Sequence, residues 1–323
     1  MMARLLLLVL LLASAVAGRA HAVHVAPHGK GTFRSIAVAI AALPPKGGEV
    51  RIAPGTYREK LWISKANVHL IGEGPGPASV VLVWNDSSIS VGNTYNTPSV
   101  YAAADGFRAS NLTIANDWGS SATQPNAQAV ALAISGDRAV LSRVRIIGKQ
   151  DTLYLVQPPN QRSRHVFRDC YIEGHVDFVF GNAKAYFQRC HLHGLARANI
   201  FFTAQSRNST KEDSAFVFED CRLTAAAGAG ASGIFLGRAW RPYARVIWLR
   251  TLMDALIAPA GWREWYPNRS KTLETAYYAE YQSRGIGASP ETRDHRTHQL
   301  TAAQAERWSI ANFFGNDATW IDP

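Results

Sequence analysis

Short runs in which apolar and polar positions alternate recur along the chain, and four of them share one frame. Leu141-x-x-Val144-x-Ile146-x-Gly148 is followed by Phe167-x-x-Cys170-x-Ile172-x-Gly174, then by runs starting at Phe187 and Phe218. The starts lie 26, 20 and 31 residues apart. Alternation with period two marks strands with one buried face. Repeats of this size, each unable to bury its apolar face alone, predict stacked coils of a solenoid. Further short strands are expected at 50–52, 68–72, 80–83, 112–114 and 246–249. An apolar run at 33–43, ending before Pro44-Pro45, predicts a helix capping the N-terminal end, and 301–314 predicts a helical segment near the C-terminus. The expected fold is all-β: a right-handed parallel β-helix with those two helical additions.

The first 22 residues change the domain picture. Arg4, the apolar run 5–16 and the small-x-small triplet Ala20-His21-Ala22 read as a secretory signal peptide. The run is too short for the roughly 20 residues of a bilayer span. The expectation is therefore cleavage after Ala22, one domain over 23–323, and a secreted (extracellular, cell-wall or periplasmic) monomer that is not held in a membrane. Losing Arg4 and Arg19 and no acid takes the net charge from +10 (34 basic against 24 acidic residues) to +8 (32 against 24).

Such a basic surface attracts polyanions, either nucleic acid or acidic polysaccharide. The signal peptide and the lack of any zinc-finger, basic-zipper or aromatic RNA-binding signature point away from nucleic acid. Cys170, Cys190 and Cys221 form no C-x-x-C pair, which argues against a zinc or dithiol site. Each follows a Phe by three residues, and the three are expected to form a buried ladder of small apolar side chains. The loops 157–161 and 225–233 interrupt the coils and are expected to border a groove.

Asp151 and Asp177 each stand seven residues after the fourth position of the repeated frame. Stacked coils would bring equivalent positions to about 4.8 Å, the spacing of neighbouring strands. Two carboxylates about 5 Å apart at an effective dielectric near 20 repel by roughly 3 kcal/mol, so one tends to keep its proton. That inequality suits a general acid beside a nucleophile. Arg238 is the best counterion for an ionised partner. Gln128 and Gln150 are uncharged amide donors suited to an oxyanion.

These residues lie in segments that resemble the pectin methylesterases (pectinesterases). The resemblance runs through Gly55-Thr56-Tyr57-Arg58-Glu59, 128–132, 148–154, 177–181, Leu236-Gly237-Arg238-Ala239-Trp240 and Tyr278-Ala279-Glu280-Tyr281, and so spans the chain after residue 22. It implies Asp177 as nucleophile, Asp151 as proton donor and later base, and Gln128 and Gln150 as the oxyanion site. Arg238 would hold Asp177, while Trp240 and Trp262 would face the substrate. The implied reaction is hydrolysis of the C6 methyl ester of galacturonate in methyl-esterified pectin, with no metal and no cofactor.

Three departures from the family pattern stand out. Ala239 replaces the usual proline and is expected to loosen the turn carrying Arg238 and Trp240. Ala133 stands where plant members usually carry arginine, and the Pro158-Pro159 loop lengthens the interval between the aspartates. A non-catalytic polysaccharide-binding β-helix would have lost an acid or an amide. A calcium-dependent lyase or a polygalacturonase would need other acidic clusters, and a serine esterase would need a Gly-x-Ser-x-Gly elbow; none is found.

Overall fold

The computed structural model describes residues 21–29, 33–121, 123–267, 269–315 and 317–322. Three sheets of eleven, eight and eight strands wind around one axis as a right-handed parallel β-helix. The repeated frame sets the register. Leu141 pairs with Phe167, Phe167 with Phe187, Phe187 with Phe218, and Phe218 with Trp248. These side chains point inward, and successive rings stack at 4.6, 4.4 and 4.0 Å from Phe167 to Trp248. Cys170, Cys190 and Cys221 are free, buried and stacked in the adjoining column, as the frame predicts.

Between the first and second sheets the chain turns through one left-handed residue per coil: Asn111, Arg143, Asp169, Arg189, Asp220, Arg250 and Gln282, all with φ between 50 and 53°. Asn111 also donates its amide to Gly72 O and Gly74 O, at 2.9 and 3.2 Å. Its side chain is thus committed to holding the neighbouring coil.

A helix closes the N-terminal end of the solenoid, whereas the C-terminal helices lie against the outward face of the first sheet, where Phe313 and Phe314 pack on Tyr186. At the N-terminal end the helix is shorter than 33–43: it spans Ile36–Ala42 and buries Ile36, Ala39 and Ile40 on the first coils. Glu59 accepts from the backbone N–H of Ile36 and Ala37 at its positive end. Lys65 donates to the carbonyls of Ile40, Ala41 and Leu43 at the other. The expected C-terminal segment is two helices, Ala302–Glu306 and Ile310–Phe314, because Ser309 caps a new one. The inward column of rings ends at Glu280, in register with Trp248 and paired with Arg293 at 2.7 Å, both nearly inaccessible.

The first strand is Ala22–Val25, and Glu49 N–H donates to His21 O at 2.8 Å. The expected cleavage point therefore falls inside a paired strand, while residues 1–20 of the expected signal peptide lie outside the described residues.

Candidate active site

The acids sit at the corner between the second and third sheets. Leu153 pairs with Val179 and Tyr154 with Phe180, so Asp151 stacks on Asp177 one coil away, and Asp151 N–H donates to Val176 O at 3.0 Å. Both aspartates have left-handed backbones, φ 61° and 53°. The two glycines of the frame allow this corner to fold tightly. A Cβ on Gly174 would lie 2.3 Å from Phe178 Cβ and 2.6 Å from Lys149 O, and one on Gly148 would meet the Thr152 side chain. Thr152, fully buried, donates from its hydroxyl towards Glu173 O, 3.0 Å away.

Arg238 reaches the acids from further along the solenoid. It ends the strand Gly233–Arg238, where Gly237 pairs with Thr203, so its side chain emerges on the outward face of the third sheet. Its Nε and Nη2 donate to the two Asp177 oxygens at 2.9 and 2.7 Å. The guanidinium lies between the rings of Phe201 and Trp265, at 4.3 and 4.1 Å from their centroids. This bidentate, ring-clamped geometry fixes the cation. Ala239 does not leave the turn loose: it is fully buried, and Trp240 N–H donates to Gln205 O at 3.1 Å.

The two carboxyls are driven apart. Burial, then the charge of Asp177, pushes Asp151 well above the usual carboxylate range. Burial also raises Asp177, but the hydrogen bonds and charge of Arg238 oppose it. Burial thus raises both carboxyls, Asp151 the further, and the Arg238 hydrogen bonds favour negative charge on Asp177. Neighbouring His175 is pushed down to about 4 by burial and by the charges of Arg197 and Lys149, so it adds no charge at neutral pH.

Gln128 and Gln150 form a parallel bridge on adjacent coils. Ser88, a residue that sequence reasoning missed, donates to Gln128 Oε1 at 2.6 Å and leaves the amide nitrogen as the free end. Gln128, Gln150, Asp151, Asp177, Arg238 and Trp240 all line one cavity of ≈ 250 Å³, with Thr94, Tyr95, Phe180, Ala204 and Trp265.

Two expectations fail. Trp262 does not face this cavity: it pairs with Gly237 in an inward column, is 2 % exposed, and stacks on Tyr278 at 3.8 Å. Trp265, three residues on, lines the cavity instead, beside Trp240. Nor do the loops 157–161 and 225–233 line it; residues 94 and 95 do.

Comparison with known proteins agrees with this architecture. The pectinesterase family model matches residues 22–317. Putative pectinesterase 11 of Arabidopsis thaliana is 34% identical over 91% of this chain and 79% of its own length. Pectinesterase 31 of the same plant is 32% identical over 93% of this chain and 94% of its own. Among solved structures, a pectin methylesterase from carrot superposes with a TM-score of 0.82 at 29% identity, covering 93% of this chain and 94% of its own. A pectin methylesterase in complex with a hexasaccharide gives 0.75 at 29% identity, over 91% and 97%. The chain thus belongs to the pectinesterase family of carboxylic ester hydrolases.

Proposed function

We propose that this protein removes methyl groups from the C6 esters of galacturonate in pectin, with Asp177 as nucleophile and Asp151 as acid and base. The observation that carries the reading is the inequality of two stacked carboxyls, one clamped by Arg238 and the other left to hold a proton. An Asp177 oxygen attacks the ester carbonyl carbon, and the amide donors of Gln128 and Gln150 stabilise the oxyanion. As the carbon–methoxy bond breaks, Asp151 passes its proton to the departing oxygen and methanol leaves. The ionised Asp151 then takes a proton from water as the water oxygen attacks the acyl carbon. Asp177 departs as carboxylate, and the new galacturonic acid loses its proton to solvent.

The pectic substrate is supported by the names of the relatives and by the oligosaccharide-bound neighbour. Residues 1–22 act in this proposal as a secretory leader, 23–323 as a single domain, and the enzyme works as a secreted monomer on cell-wall pectin without cofactor. No described helix is long and apolar enough to cross a membrane.

The test is to follow methanol and chain cleavage together on highly methylated pectin. Methanol without new chain ends is expected. Chain cleavage without methanol would replace the reading with a lyase or glycosidase.

A further inference from the structure

The outward face of the third sheet continues beyond the catalytic cavity towards the N-terminal coils. One outward residue per coil is in register from Trp62 through Tyr101, Ala133, Tyr154 and Phe180 to Ala204. Trp62 meets Tyr101 edge-on at 4.3 Å, and Tyr154 stacks on Phe180 at 4.5 Å. Ala133 interrupts the aromatics, and Tyr95 bridges that gap by packing on Tyr154 at 5.7 Å. Tyr95 lines both the catalytic cavity and a second one of ≈ 520 Å³, whose other walls include Trp62, Tyr101, Val91 and Pro98. The two depressions therefore adjoin at Tyr95 along the solenoid axis.

Trp62 is 66 % exposed and Tyr95 55 %. Large aromatics left in water side by side mark a binding surface rather than a packing requirement. Among the described residues the one cation bordering this cavity, Lys60, is already held by Asp86 at 2.5 Å and Asn96 O at 2.6 Å. The surface therefore offers apolar ring faces and no free charge. It suits the C–H face of an uncharged pyranose better than a free carboxylate.

We propose that Trp62 and Tyr101 form a distal sugar platform that binds a methyl-esterified stretch of the same polymer chain whose ester lies at Asp177. This rests on the pectin reading above and extends it to a subsite. Trp62 stands three coil steps from Tyr154, about 14 Å at ~4.8 Å per step. A short oligomer filling the catalytic cavity cannot reach it, whereas a longer chain lying along the axis does.

The experiment measures methanol release from fully methyl-esterified oligogalacturonides of about three and about eight sugars, the second long enough to span three coil steps. Loss of one aromatic stacking surface in Trp62→Ala is expected to raise KM for the long oligomer about fivefold, leave its kcat unchanged, and leave the short oligomer unaffected. Trp62→Phe is expected to restore most of the loss. Equal kinetics of wild type and Trp62→Ala on the long oligomer would overturn the platform, as would an equal loss at both lengths. A dimer of the wild type that dissociates in Trp62→Ala while KM stays fixed would assign the face to a second copy instead. Wild-type protein releasing no methanol at either length would refute the pectinesterase reading itself, and the platform with it.

Discussion

In the proposed reaction, Arg238 decides which of two stacked carboxyls attacks the ester. Asp177 must be ionised and Asp151 protonated, so activity is expected to fall on the acid side as Asp177 gains a proton and on the alkaline side as Asp151 loses one. Replacing the cation by Arg238→Gln leaves Asp177 buried without its counterion, which raises its pKa further. The acid limb of kcat/KM should move to higher pH, with a loss of about 10²-fold or more at its maximum. An unmoved acid limb would show that Arg238 does not set the ionisation of Asp177. The stacking of the two acids was legible in the sequence, because the strand frame repeats on both sides of it. The Arg238 contact was expected from the family resemblance but not from spacing, since it arises 61 residues on from Asp177 and depends on how coils stack. Trp262 and Trp265 show the same limit: an inward or outward position turns on strand parity, and a two-residue strand such as Trp262–Arg263 gives too little alternation to read it.

At the scale of elements, the corner that presents the acids depends on glycine. At Gly174 an added methyl meets Phe178 Cβ and the Lys149 carbonyl, which cannot rotate away, whereas at Gly148 the three nearest atoms all belong to the Thr152 side chain. Gly174→Ala is therefore expected to destabilise by about 2–3 kcal/mol and to lose activity, with Gly148→Ala milder in both. Denaturant midpoints of the two variants check the order, and a reversed order would mean that the corner relaxes differently. The repeated glycines were visible in the sequence as part of the frame, but their tight contacts were not. The same holds for Glu59 in Gly55-Thr56-Tyr57-Arg58-Glu59. Its position is explained by a helix terminus in another coil, which no local pattern announces. The loops expected beside the site failed because length marks a loop's existence and not the side of the solenoid on which it lies.

The molecule as a whole is a basic solenoid, closed by a helix at its N-terminal end, with its reactive groups on one outward face. Its sequence carries 34 basic against 24 acidic residues. Encounter with a partly de-esterified, anionic pectin should therefore weaken with salt, because a Debye length near 10 Å at 0.1 M shortens to about 3 Å at 1 M. Across that range kcat/KM should fall markedly on low-ester pectin and much less on highly esterified pectin; equal salt dependence on both would remove long-range charge from the account. The β-helix itself was readable from the recurrence of the frame along the chain. The aromatic face was not, because Trp62, Tyr101 and Tyr154 lie far apart in sequence and meet only through register. The most direct test of the central claim is methanol release from highly methylated pectin by wild-type protein and by Asp177→Asn. Steady release by the wild type and near-complete loss in the variant are expected; a variant that matches the wild type would rule out Asp177 as the nucleophile.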